Sequence, residues 1–154
     1  MALVVTKPQD LLARAGQELG TSDWHTVTQE EVDHFAAGTG NLAPIHTDPD
    51  YAAKTPMGGT IAFGIQVLAM ATMLLSDIWE LRGVVGGADY GANKVRYLAT
   101  VKTSERIRLH ATLGAAEPTD RNGVKATLDL TFELEGSERP ACVAQIVFFY
   151  YFAA

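Results

Sequence analysis

Cysteine is nearly absent from this sequence: Cys142 is the only one among 154 residues. A single thiol excludes an internal disulfide and any cysteine-based zinc cluster. Its place in an apolar C-terminal run marks it as a small buried hydrophobe. Basic charge is also scarce, with 12 Lys and Arg against 18 Asp and Glu and a net charge of −6. A chain this acidic is a poor match for nucleic acid or for an anionic membrane surface. Long hydrophobic runs are missing too. The most apolar stretch, Ile61 to Leu75, covers only 15 residues and is interrupted by Gln66 and Thr72. It is too short to span a bilayer and reads as a buried helix. The opening residues MALVVTKPQD lack the apolar length and small-residue cleavage site of a secretion signal, so a cytoplasmic location is expected. His25, His34, His46 and His110 show no HxH or HxxxH spacing, and no phosphate-loop glycine pattern occurs. Neither a metal nor a nucleotide cofactor is expected. Repeats, low-complexity tracts and linkers are absent as well, which predicts one domain over residues 1–154.

What is present falls into two halves. The first half carries helical signals. Pro8 to Gly16 fits a short helix, and Trp24 to Val27 a short strand. Thr28-Gln-Glu-Glu31 fits a capping box, in which the Thr28 hydroxyl and the Glu31 carboxylate satisfy the first free N–H groups of a helix. That helix carries Val32, Phe35 and Ala36 and ends at Gly38 or Gly40. A turn-rich stretch, TGNLAPIHTDPD, follows, with a second short helix expected from Pro49. The long apolar helix starts after Gly58-Gly59 and is expected to reach about Trp79, with Gly83, Gly86 and Gly87 breaking the chain behind it. Being apolar on nearly all faces, it must be wrapped completely.

The second half alternates with a period of two. Ile107, Leu109, Ala111 and Leu113 form one strand face; Val124, Ala126, Leu128, Leu130, Phe132 and Leu134 form another. Asn122-Gly123 between them predicts a tight hairpin turn, and Ala141 to Phe152 a long strand inside the sheet. Helices followed by antiparallel strands mean α+β architecture: a curved antiparallel sheet around one long buried helix. Among the histidines, His34 falls mid-helix and His110 on the outward strand face, both solvated positions. His25 lies beside Trp24 in a short strand and carries no motif. His46 alone sits in an irregular segment, APIH, stiffened by Pro44, just before the buried helix.

The segment FAAGTGNLAPIHTDPDYA, residues 35–52, resembles the hydratase segment of the MaoC-like family, the (R)-specific enoyl-CoA hydratases and dehydratases. Phe35, Thr39, Gly40, Pro44, Ile45, His46, Asp48 and Ala52 stand at matching places. DYGANKVRYLATVKTSERIRL resembles the family's later strand, and the similarity runs from about Gly20 to Phe152. The resemblance implies the hot-dog fold, usually paired into a homodimer. It implies a lyase of fatty acid or polyketide metabolism that acts on trans-2-enoyl and 3-hydroxyacyl thioesters, carried on coenzyme A or a phosphopantetheine arm. It further implies that His46 is the acid/base and that the amide of Gly64, at the start of the buried helix, polarises the thioester carbonyl. Pro44, Ile45, Phe63 and Gln66 are the expected substrate-binding residues around them.

The sequence departs from the family pattern at informative places. Asn41 occupies the position of the family's aspartate, and an amide cannot accept a proton, although it can orient a water. Phe63 stands where the family often has histidine; Thr100 and Ser104 replace a proline and a glycine. These departures leave further functions open: a diverged cyclase or thioesterase with Asp48 as its carboxylate, a silent acyl-thioester binder, or a form inactivated by an aspartate-to-asparagine change. Residues 93–108 hold Lys94, Arg96, Lys102, Arg106 and Arg108 against Glu105 alone. On an acidic chain, this strip suits the phosphates of a coenzyme A or phosphopantetheine ligand at Lys94 and Arg96. A solvated strand edge is the competing explanation.

Overall fold

The computed structural model describes residues 2–153. In chain order the elements are β1 (Leu3–Val5), α1 (Pro8–Leu12), β2 (Gln17–Thr21), β3 (His25–Thr26), α2 (Gln29–Thr39), α3 (Pro44–Thr47) and α4 (Pro49–Ala52). Then follow α5 (Gly64–Ala69), α6 (Ala71–Leu75), β4 (Trp79–Leu81), β5 (Val84–Tyr97), β6 (Arg106–Thr119), β7 (Gly123–Leu134) and β8 (Cys142–Phe152). One antiparallel sheet runs in the order β2-β6-β7-β8-β5, with β3 beside β6. A small parallel pair, β1 with β4, closes one end. Among the described residues no helix is long and apolar enough to cross a membrane.

The period-two pattern sets the layers. Ile107, Leu109, Ala111 and Leu113 on β6 face the core, as do Leu128, Leu130 and Phe132 on β7 and Cys142 and Phe148 on β8. Burial of each large apolar side chain contributes about 1.5–3 kcal/mol, so these three strands form the stable floor. Cys142 is fully buried, and desolvation pushes its thiol up to about 11. The outward residues of β6 are tied to those of β7. Arg108 pairs with Glu133 at 2.6 Å, Arg106 pairs with Glu135, and His110 bridges Thr21 and Glu133. The hydrogen bonds from Arg108 and His110 hold the Glu133 carboxyl below its usual range.

The structure alters several expectations. The apolar helix covers 64–75 rather than reaching Trp79, and Met70 divides it into α5 and α6. Trp79 instead opens β4. Gly86 and Gly87 do not end the chain's regular structure; they lie inside β5, where ladder irregularities absorb them. In the β6–β7 turn, positive φ falls on Arg121 and Asn122, while Gly123 already belongs to β7. β2 has no sequence signal because its Gln17 and Glu18 are exposed at a sheet edge.

The largest correction concerns the wrapping of the helix. Gln66, Val67, Ala71, Leu74 and Leu75 are buried against the sheet, but Ile65 is 59% and Met73 45% exposed. β5, the free edge of the sheet, is exposed over most of its length, with Val85 and Tyr90 each 70% exposed. One side of the helix therefore remains uncovered by this chain.

Candidate active site

Local chemistry builds the site from α2 onward. Thr28 caps α2: its hydroxyl accepts from Glu31 N–H at 3.2 Å, and Glu31 Oε2 accepts from Thr28 N–H at 2.8 Å. Gly40 ends the helix at φ 74, a left-handed conformation that favours glycine. The chain then turns through Asn41, whose Oδ1 accepts from Ala43 N–H at 3.3 Å. Pro44 starts α3 at its first position, where no N–H is needed. Asp48 caps α4 by accepting from Tyr51 N–H at 3.0 Å. Its carboxylate is thereby engaged in the backbone.

α3 delivers His46 to the mouth of a cavity of about 310 Å³, lined among others by Ile61, Gly64, Val67, Tyr97, Thr100 and Val101. His46 Nδ1 lies 2.7 Å from the Ile61 carbonyl. A carbonyl only accepts, so Nδ1 carries the proton and donates. In neutral imidazole this leaves the Nε2 lone pair free; among the described residues Nε2 has no hydrogen-bond partner. Phe63 lies flat against the imidazole, with centroids 3.7 Å apart and planes tilted by 21°. Phe35 backs Phe63 at 5.1 Å. The ring is thus fixed by one hydrogen bond and one aromatic face.

Gly64 is the first residue of α5, so its N–H has no partner within the helix. It also lines the cavity. A Cβ at this position would lie 2.9 to 3.1 Å from the Tyr97 ring atoms. Glycine is required here because the aromatic wall packs directly on the backbone. Gly64→Ala should push Tyr97 outward and shift the helix start, lowering turnover of a bound thioester roughly tenfold to a hundredfold. Rates for Gly64→Ala and the parent at saturating crotonyl-CoA check this, and equal rates would remove Gly64 from the site.

The remaining sequence candidates fall in different places. Ile45 is half-buried, and its carbonyl accepts from Ile61 N–H at 3.2 Å. Pro44 is exposed and shapes α3. Neither lines the cavity. Gln66 is 3% exposed and uses Oε1 to accept from Phe63 N–H at 3.3 Å, a helix-capping role. Asn41 is exposed and outside the cavity lining. Lys94 and Arg96 are not brought to His46. They pair in register with Gln145 and Val143 and border a separate depression with Asp129 and Thr131. The reason is strand parity: inward residues of β5 alternate with these two. No Asp or Glu lines the cavity beside His46.

Reasoning from sequence passed over Tyr97, Val67 and the 98–101 segment as cavity walls. It also passed over Gln29, which reaches the His46 backbone. The signal available was the alternation just before the loop, where Val95 and Tyr97 interleave with Lys94 and Arg96.

The chain matches the MaoC-like domain model over residues 10–133. It belongs to the MaoC-like family. It is 44% identical over 138 residues to a Mycobacterium tuberculosis protein named 3-hydroxyacyl-thioester dehydratase Z, covering 90% of this chain and 91% of that one. Among solved structures it resembles the monoamine oxidase regulatory protein of Archaeoglobus fulgius, with TM-score 0.78, 23% identity and coverage of 100% and 99%. It also resembles the (R)-hydratase from A. caviae involved in PHA biosynthesis, with TM-score 0.68, 23% identity and coverage of 87% and 94%. The hot-dog arrangement, α+β with an antiparallel sheet packed on one helix, is common to this MaoC-like chain and these structures.

Proposed function

We propose that this MaoC-like chain is a lyase that interconverts trans-2-enoyl and 3-hydroxyacyl thioesters by adding or removing water. The observation that carries this reading is His46: a histidine whose Nδ1 is committed to Ile61 and whose Nε2 is left for a ligand in the cavity. The 44% identity to a named 3-hydroxyacyl-thioester dehydratase supports the same reaction class. In hydration, the water oxygen bonds to C3 and a proton is added at C2. Negative charge develops meanwhile on the thioester oxygen. His46 Nε2 exchanges the proton, and the Gly64 N–H receives the developing charge. Asn41, which lies outside the cavity lining, holds the water-orienting role on its family position alone, since its amide cannot take a proton. The thioester is carried by coenzyme A or a phosphopantetheine arm, and the reaction itself needs no cofactor beyond water.

Hydrolysis of the thioester and ring closure are less well supported. Asp48, the carboxylate a thioesterase would use, caps α4. Binding without turnover is favoured by one observation, the amide at Asn41. Loss of enoyl-thioester ultraviolet absorbance on mixing with crotonyl-CoA tests the reading. Steady loss is expected; saturable binding with unchanged absorbance would assign the chain to the silent binders.

The working form is a homodimer. The exposed Ile65 borders β5 across a depression shared with Gly91 and Ala92, at the free edge of the sheet, where a second copy would continue the wrapping of the helix. The cytoplasm is the expected location of this lyase.

A further inference from the structure

Gln29 lines no part of the cavity and fills an unspecified position between Thr28 and Glu31 of the capping box. Its carboxamide nevertheless joins the segments that hold His46. Nε2 donates to the main-chain carbonyl of His46 at 2.7 Å and to Asp33 Oδ1 at 2.8 Å. Oε1 accepts from the Thr60 hydroxyl at 2.5 Å, and that hydroxyl also meets the Thr103 hydroxyl at 2.9 Å. Thr60 is 4% exposed, and the next residue, Ile61, supplies the carbonyl that receives the His46 Nδ1–H. Thus one side chain on α2 grips the backbone that carries the imidazole and, through the Thr60 hydroxyl, the segment that orients it.

The chemistry of the position selects an amide. Two N–H bonds point at two acceptors, and one oxygen faces a donor. A carboxylate would serve Thr60 but would stand against the His46 carbonyl and Asp33. A leucine would serve none of them. Asparagine is one carbon shorter than the span requires.

We propose that Gln29 is a positioning residue for His46. It fixes the direction of Nε2 by clamping α3 to the Thr60–Ile61 segment. The proposal rests on the lyase reading for its kinetic arm only; the placement of the ring has its own readout.

Two variants test it, Gln29→Leu and Gln29→Glu, both close to glutamine in volume. Each should lower kcat for crotonyl-CoA hydration roughly tenfold to a hundredfold, the cost of misplacing a reacting group by about 1 Å. KM should change little, since the cavity wall is untouched. The imidazole Nδ1–H proton of His46, held by the Ile61 carbonyl, should give a slowly exchanging NMR signal in the parent that is lost in both variants. His34→Ala, on the exposed face of the same helix, is the control and removes a competing imidazole. If the parent turns over no crotonyl-CoA, the lyase reading fails while the imidazole signal still decides the placement. A folded Gln29→Leu or Gln29→Glu that keeps the His46 signal and the parent kcat overturns the proposal, even with a lowered thermal transition. If Gln29→Leu does not fold, Gln29→Glu carries the same test.

Discussion

Replacing His46 with alanine should cut hydration of crotonyl-CoA by about 10²–10⁴-fold, the usual contribution of a positioned acid/base. Among the described residues lining the cavity, Tyr97 is the one ionisable side chain besides His46, and desolvation raises its phenol further above the usual value. The change removes the hydrogen bond to Ile61 and the stack on Phe63. Loss of that hydrogen bond costs about 0.5–1.5 kcal/mol of stability, too little to unfold a sheet with this much buried apolar surface. Rate at saturating crotonyl-CoA, read beside the thermal transition, separates the two effects. A His46→Ala protein that keeps the parent rate would exclude His46 from the chemistry.

The opposite change at Asn41 should raise the rate. On the proposed reading, Asn41→Asp replaces a group that can only orient water with one that can accept its proton. The expected gain is roughly 10²-fold, at the lower end of what a general base contributes. The position tolerates the charge, because Asn41 is exposed and its Oδ1 already accepts from Ala43 N–H, a bond that an aspartate keeps. Kinetics of the variant and parent on the same enoyl thioester measure the gain. No gain, with the variant folded, would mean that position 41 does not reach the water.

Sheet and site were legible to different degrees. β6, β7 and β8 could be read because each packs one face on the core, so that Leu109, Leu128 and Phe132 alternate with polar neighbours. β5 has no such pattern, and its part from Asp89 was marked as a strand only by the family resemblance. It is an edge strand exposed on both faces, and its glycines imitate a turn. The helix was recognised by its apolarity, but that same apolarity concealed the uncovered side at Ile65 and Met73. A sequence does not distinguish a surface wrapped by its own chain from one awaiting another copy.

His46 was legible through the family resemblance of its segment; the turn residues Gly40 and Pro44 alone mark only an irregular loop. Lys94 and Arg96 were read from local charge density, which ignores strand parity, and the sheet carries them to a different depression. The sequence leaves Gln66 open between a substrate contact and a hydrogen bond to backbone, and the Phe63 N–H at the helix start engages its Oε1. Gln29 had no signal at all, since its three partners lie 4, 17 and 31 residues away in sequence.

Water added across the double bond at a site organised by His46 would leave a label that product analysis in D2O can read. Crotonyl-CoA incubated with the protein should become 3-hydroxybutyryl-CoA carrying one solvent deuteron at C2, with the thioester intact. His46→Ala should leave crotonyl-CoA unchanged over the same period. Release of free coenzyme A thiol, or unchanged crotonyl-CoA with both the parent and Asn41→Asp, would contradict the account.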